Sequence, residues 1–573
     1  MKTSRRDFFS MLGIASGAFI APKGMYAALA PERKLRMGVV SDVHISFSSP
    51  ELWKWKKALE HFRDVKVDVV AVAGDIANEG LITEIEAFAK TWYEIFPDGK
   101  LPDGAKVEHV FSMGNHDVGI WDGIKKRYIK KGEDGKEIYD EEAHKKALIC
   151  HNRERVWKEL FHDDYSHFFA KNVKGYWFLA SHWRSAGPKH DYEAVELPAY
   201  LKDHADELGK TKPFFFVQHP HPRGTCHGQD AWWPDSGKNT TDVLKDFPNA
   251  VCFSGHSHDP LTDAKAIWQG GFTSLGAGSL SYCSPLGNDP TPDIRAAASA
   301  PEGHPYGISN GDCHNGYVID VHDGFLAVRR MEFKYLKPLG PEWIVPVPVK
   351  PDPEFAFDKR RLAKKPPAYR ETPKVEFRKV MVKRWNGKLD EMQQVAFKAV
   401  PQADKAHSRV YAYEFTMRPK DGSPTTIRNI KSAAADMAPE MEPEEVLWNV
   451  KPGTFTKPED YDFGIVPLDS FRTRADRKRK CFAFFGAKLA KKPENADADV
   501  FYRDGEKIEK LVNEVLRTYK RHDAYVLIAA TTDDKDVQKD LNRTKSLITR
   551  WHKEAKVIVA ANSEEALKQL SAI

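Results

Sequence analysis

From residue 35 to about 335 the chain predicts an α/β domain, on three observations. Short apolar runs recur at intervals, amphipathic stretches of helical period separate them, and polar residues able to do chemistry stand directly after the runs. The predicted strands are Leu35–Ser41, Val67–Ala73, Val107–Met113, Tyr176–Ser181, Phe214–Gln218, Val251–Ser254, Phe272–Gly276, Tyr317–Val321 and Leu326–Phe333. Ligands of sheet proteins gather where strands end and loops begin, so this placement is itself informative. The stretch Lys125–Lys146 is highly charged with several glycines and predicts an exposed insertion.

At 573 residues the chain exceeds one ordinary core, and about 150 residues per domain predicts two to four domains. A proline- and lysine-rich segment, 338–373, predicts a connector. Beyond it Val375–Trp385, Gln393–Val400 and Val410–Met417 have strand character, so 374–490 predicts a small β-sandwich of fibronectin type III-like build. The remainder, 491–573, reads as a short α/β region: Ile508, Leu511, Val512, Val515, Leu516 and Tyr519 recur at helical spacing, and Tyr525–Ala530 and Val557–Ala560 read as strands. With 87 basic and 82 acidic residues the net charge is +5, which makes no case for nucleic-acid binding. The six cysteines (Cys150, Cys226, Cys252, Cys283, Cys313 and Cys481) form no CxxC pair and no dense framework, so neither a thiolate zinc site nor a disulfide-stapled scaffold is indicated, which leaves room for one or two bridges.

The amino terminus carries an address. Lys2-Thr-Ser-Arg5-Arg6-Asp-Phe8 opens an apolar stretch to Ala21, followed by the small-residue pattern Ala28-Leu29-Ala30. This resembles a twin-arginine export signal over residues 1–30 and implies a periplasmic or secreted protein. That route carries proteins already folded. After it, no run of about 18 apolar residues predicts a transmembrane helix.

Five pieces follow strands in order: Ser41-Asp42-Val43-His44, Gly74-Asp75-Ile76-Ala77-Asn78, Gly114-Asn115-His116-Asp117, Gln218-His219-Pro220-His221-Pro222 and Gly255-His256-Ser257-His258. Each alone is common, but together and in this order residues 31–337 resemble the calcineurin-like metallophosphoesterase family. The resemblance implies a four-layer αββα sandwich and a metal-dependent phosphoric ester hydrolase with two divalent ions of the Mn, Fe, Zn or Co kind. The chemistry agrees with the residue types. Phosphoester hydrolysis needs a strong nucleophile at neutral pH and neutralisation of phosphoryl charge, which two ions a few ångströms apart supply through a bridging hydroxide attacking in line. Imidazole mixed with carboxylate suits such ions. By resemblance Asp42, His44, Asp75 and His258 hold the first ion and Asp75, Asn115, His219 and His256 the second, with Asp75 bridging.

His116 is implied to face the phosphate as general acid. In phosphatase branches of the family an Asp three residues after the bridging carboxylate orients this histidine. Here the position is Asn78, assigned the same catalytic task without a carboxylate's ability to raise imidazole basicity. Purple acid phosphatases carry Tyr there, so its absence speaks against an iron(III)–tyrosinate site. His219 and His221 both qualify for the fourth piece; His219, first after the apolar run, is taken as the ligand. Candidate substrate contacts are Arg184, His221, Arg223 and His227, in the stretches His182-Trp183-Arg184 and Arg223 to Trp233, where Arg suits phosphate and Trp suits stacking. The expected substrate is a small phosphate mono- or diester: a cyclic nucleotide, nucleotide, glycerophosphodiester or sugar nucleotide. The alternative is a surface protein whose carboxy-terminal domains bind a glycan or partner, with the metal site secondary.

Overall fold

The computed structural model describes residues 31–46, 52–119, 122–132, 135–184, 195–227, 240–283, 313–383, 389–400, 407–422, 426–432, 444–473, 480–485, 498–502, 512, 515, 522, 524–529, 535–551 and 555–560. The amino-terminal export pattern, Trp233 and most of the 508–519 helical repeat lie outside them. The described chain divides into two units. The first comprises residues up to 261 together with 266–283 and 314–355, and the second holds 262–265 and the chain from 356 onward.

Two mixed sheets build the first unit. In one, Leu35–Val40, Val69–Ala73 and Glu108–Ser112 run parallel, and Asn315–His322, Phe325–Glu332, Lys337–Pro338 and Trp343–Pro346 extend the other edge antiparallel. In the other, Thr273–Gly276, Ala250–Ser254, Phe214–Val217 and Tyr176–Ser181 are parallel, flanked by antiparallel Ile267–Gln269 and Phe168–Val173. Where both faces of a parallel strand are covered it is apolar from end to end, as in Val69–Ala73 and Phe214–Val217. Val69–Ala73 is fully buried, and so is Phe214–Val217.

The helices follow their apolar period. Helix Leu52–Asp64 buries Trp55, Ala58, Leu59 and Phe62, and helix Ile82–Ile95 buries Ile82, Ile85, Phe88, Ala89, Trp92 and Ile95. These spacings of three and four put each set on one stripe. Trp55 stacks on Phe88 with ring centroids 4.5 Å apart, over Phe111 of the neighbouring strand. On the second sheet Phe214 and Phe216 join Leu197, Leu201, Leu208 and Leu244 of the flanking helices, whereas Phe215 between them stacks with Phe178 and Phe253. Alternation along the strand thus serves two layers at once.

The nine predicted strands all form. The predicted insertion at 125–146 is an exposed hairpin, Ile129–Lys131 against Glu137–Tyr139, followed by helix Glu141–Ala147. The connector is shorter than the sequence implies, because Trp343–Pro346 pairs with Phe325–Glu332 and belongs to the first sheet.

In the second unit, two three-stranded antiparallel sheets share one core of Val395, Phe397 and Trp448 from one and Tyr413, Phe415, Met417 and Ile465 from the other. A parallel sheet of Ala498–Tyr502, Lys480–Phe485, Ala524–Ala529 and Lys556–Ala560 comes after them, with Val537, Leu541 and Ile548 of helix Lys535–Trp551 packed against Tyr525 and Leu527. Lys480–Phe485, read from sequence as part of the β-sandwich to 490, belongs to this parallel sheet instead. Strand propensity reports a strand without reporting its partner. Among the described residues no helix is long and apolar enough to cross a membrane, and no disulfide joins the cysteines.

Candidate metal centre

The loops that leave five strands of the two sheets meet at one point. Asp42 and His44 follow Leu35–Val40, Asp75 follows Val69–Ala73, Asn115 and His116 follow Glu108–Ser112, His219 follows Phe214–Val217, and His256 and His258 follow Ala250–Ser254. The backbone bends sharply to aim them. Asp42, His44, Asp75, His256 and His258 all have positive φ, between 48° and 73°. Left-handed backbone at a non-glycine residue costs about 1–3 kcal/mol in each case and gathers at functional sites. Cross-loop hydrogen bonds hold the bends: Asp42 N–H donates to Gly74 O at 3.0 Å, His44 N–H to Asp75 O at 3.0 Å, and Gly255 N–H to His219 O at 2.8 Å. Two glycines are required by space. A Cβ at Gly74 (φ 89°) would lie 2.3 Å from Nδ1 of His219, and one at Gly255 would lie 1.7 Å from Oγ of Ser41.

Three overlapping groups can each hold a cation: Asp42, His44 and His258; His44, Asp75 and His116; and Asp75, His219 and His256. Nε2 of His258 is 3.1 Å from Oδ1 of Asp42 and 3.2 Å from Nε2 of His44. Nε2 of His219 is 3.1 Å from Oδ2 of Asp75 and 3.1 Å from Nδ1 of His256. His44 lies between the carboxylates, its Nε2 3.8 Å from Asp42 and 3.6 Å from Asp75. Three histidines are held from behind through Nδ1: His219 by Ala73 O at 2.7 Å, His258 by Tyr282 O at 3.0 Å and His44 by Asn78 Oδ1 at 3.1 Å. Such bonds set the tautomer and present Nε2 to an ion.

The residues fit divalent ions. Asp42 Oδ1 and Asn115 Oδ1 are buried acceptors with no hydrogen-bond partner among the described residues, and Nε2 of His258, His44 and His219 lies 3.1, 3.8 and 4.0 Å from Asp42 Oδ1. The electrostatics point the same way. Burial works to raise Asp42 and Asp75, but the facing imidazoles outweigh it, His258 foremost for Asp42 and His219 for Asp75, and hold both low. Burial opposes a charge on His219, yet Asp75 brings it up to about 9, whereas burial takes His256 down to about 3. The carboxylates thus draw positive charge into the cluster.

Asn78 does not orient His116 with its side chain. Its amide oxygen holds His44, and its main-chain carbonyl accepts from Nδ1 of His116 at 2.6 Å. A residue three past Asp75 can serve both rings because the main chain turns back there, with Asn78 N–H donating to Ile45 O.

The predicted substrate contacts disperse. His221 is buried, with Nδ1 2.8 Å from Oγ of Ser254 and Nε2 2.8 Å from Oγ of Ser257, so it braces the loop carrying His256 and His258. His227 is buried against Gly276. Arg184 pairs with Glu196, and Arg223 is exposed. Trp183 is fully buried, its ring 6.0 Å from His219 and 5.9 Å from His256, and His182 behind it accepts from Met113 N–H at 2.9 Å. Both are packed walls.

Asp117 closes the third of the five pieces, and residue type alone gives it no role there. It is fully buried and accepts from Gly114 N–H (2.7 Å), Ala77 N–H (2.7 Å) and Ile76 N–H (3.2 Å), stitching the second loop to the third. Burial, with Asp75 adding to it, pushes its carboxyl up to about 7 against those three amides.

Residues 35–260 match the family model described as calcineurin-like phosphoesterase, and this part of the chain is a calcineurin-like phosphoesterase domain. Similar solved structures include a purple acid phosphatase from yellow lupin seeds, at 11% identity and TM-score 0.35, covering 56% of this chain and 55% of that one. A predicted phosphoesterase from Streptococcus pneumoniae is 13% identical with TM-score 0.22, covering 55% of this chain and 97% of its own. Zinc-complexed Vps29 from Entamoeba histolytica is 10% identical with TM-score 0.23, covering 54% and 99%. This chain therefore spans about half of the lupin protein, and scores this low lend nothing to a reading of activity. No curated protein matches the chain by sequence.

Two substitutions separate these arrangements. Asn78→Ala weakens metal retention about 10–100-fold, read by titration with a chelator, because His44 loses its support; an unchanged retention would show that Asn78 supports no ligand. His221→Ala lowers stability by about 1–3 kcal/mol in urea unfolding and depletes metal, because Ser254 and Ser257 lose their shared partner. A raised KM with full metal content would return His221 to the substrate.

Proposed function

We propose that this chain is a dinuclear-metal hydrolase of a small phosphate mono- or diester, within the class of cyclic nucleotides, nucleotides, glycerophosphodiesters and sugar nucleotides. The observation that carries the reading is the pair of carboxylate–imidazole groups joined at Asp75 and His44, with ligand nitrogens turned inward by bonds from behind. Asp42, His44, Asp75 and His258 would hold one ion, and Asp75, Asn115, His219 and His256 the other. When bound, such ions supply Lewis acidity toward phosphoryl oxygens and make water acidic enough to attack at neutral pH.

The chain's own contribution is proton handling and aim. His116 donates from Nδ1 to Asn78 O, so Nε2 is the atom presented to the cluster, 3.9 Å from Oδ2 of Asp75. The main-chain N–H of His116 donates to Asp75 Oδ1 at 2.9 Å, which ties the residue carrying the ring to that carboxylate. Burial brings His116 down to about 4, so the ring is neutral near pH 7 until a negative phosphoryl group lies beside it. That charge recruits a proton to Nε2, which then passes to the departing alcohol oxygen. The leading Lys2–Ala30 pattern supports export as a further part of the proposal.

Hydrolysis of p-nitrophenyl phosphate and bis-p-nitrophenyl phosphate by chelator-treated protein is expected to return on addition of Mn²⁺, Zn²⁺ or Fe²⁺. Asp75→Ala and Asn115→Ala abolish turnover with loss of metal, and His116→Ala slows it about 10²–10⁴-fold with metal retained. Full activity in Asn115→Ala with both ions bound would refute the assignment. For export, cell fractionation is expected to find the protein outside the cytoplasm and the Arg5→Lys, Arg6→Lys variant inside it; an unchanged distribution would remove the twin-arginine reading.

A further inference from the structure

A phosphoesterase also has to hold the alcohol part of its ester, and the geometry points to Tyr282 as the residue that does so, a platform on which a planar aromatic leaving group stacks. This inference rests on the phosphoesterase reading and names the class of ester it would select.

Tyr282 stands apart from the other aromatic rings of the centre. Trp183 is fully buried, whereas Tyr282 is 48% exposed while lying directly on the ligand histidines. Its ring centroid is 4.3 Å from that of His258 and 6.4 Å from that of His44, tilted by 45° and 33°. A large half-exposed ring packed on a polar cluster is an unusual use of apolar surface, and stacking a second ring would cover it.

The platform is anchored to the centre through main chain. Leu280 N–H donates to Ser41 O and Ser281 N–H to Asp42 O, both at 2.9 Å. Tyr282 N–H donates to Oγ of Ser279 at 3.2 Å, and its carbonyl receives Nδ1 of His258. Nζ of Lys54 donates to Ser281 O at 2.9 Å. The segment bearing the ring is therefore fixed to the loop bearing Asp42 and His44.

The direction comes from His44, which both rings share as a neighbour. His116 meets His44 edge-on with centroids 4.5 Å apart, and Tyr282 lies over His44 and His258. With the leaving oxygen at Nε2 of His116, the first carbons of the alcohol cross His44 toward Tyr282. An aromatic ring there gains an offset-stacked partner, a term beyond area burial that an alkyl group of equal size lacks.

The test compares benzyl phosphate with cyclohexylmethyl phosphate, whose alcohols match closely in size and acidity and differ in aromaticity. The metal-reconstituted full chain is expected to favour the benzyl ester about two- to tenfold in kcat/KM, and to bind benzylphosphonate over cyclohexylmethylphosphonate by a similar factor in calorimetry. Tyr282→Leu erases both preferences and Tyr282→Phe keeps them. Equal handling of the two esters by the wild type, or a preference surviving in Tyr282→Leu, overturns the platform. Metal content is measured alongside, since the carbonyl holding His258 is retained in each variant; metal loss in Tyr282→Leu would assign the ring to the metal centre and also overturn it. Aromatic binding preference with no turnover of either ester refutes hydrolysis and leaves the platform standing.

Discussion

Three carboxylates, Asp42, Asp75 and Asp117, are buried within one small volume, and the rest of the first unit is arranged around making that tolerable. Buried like charges are among the most unfavourable arrangements a fold can contain unless each is paired or neutralised. The structure answers each differently. Asp42 and Asp75 face imidazoles that draw protons or metal, with backbone amides of His256 and His116 donating from the other side. Asp117 faces three amides and no cation, and is pushed toward its neutral form. One geometry therefore separates two carboxylates suited to an ion from one suited to tying loops together.

The two sheets make this possible by delivering several loop starts to a single point. Parallel strands end side by side, and short loops leaving them stay close to the strand ends, so ligands remote in sequence need no long reach. The left-handed residues are the local cost of turning side chains inward over so short a distance. Cross-loop hydrogen bonds share that strain among loops from both sheets, which binds the sheets together at the centre as well as through their apolar faces.

Whatever depends on residue type and order was legible in the sequence. The strands of the first unit carry apolar runs long enough to be read directly, and Asp42, His44, Asp75, His116, His219, His256 and His258 come after them in the order in which the structure gathers them. Direction and partner were not legible. His221 has the composition of a ligand, and only the positions of Ser254 and Ser257 show that both its nitrogens are used as a brace. Trp183 and His227 read as cleft residues because they stand in stretches whose Arg and Trp suit phosphate contact and stacking, yet both side chains are buried. Lys480–Phe485 has strand character, and no local signal tells a parallel partner at Ala524–Ala529 from an antiparallel one nearby. Tyr282 carried no motif, since its link to His258 runs through a carbonyl that every residue possesses.

That last kind of contact has an evolutionary side. His116 takes its orientation from the main-chain carbonyl of Asn78, and a main-chain carbonyl survives every substitution at its own position. The side chain of residue 78 is thereby released from aiming His116 and left answerable to His44 alone. Mutational drift at this position can retune the support of one ring while the aim of its neighbour is inherited unchanged, so two adjustments that a single side chain would have locked together can be selected separately.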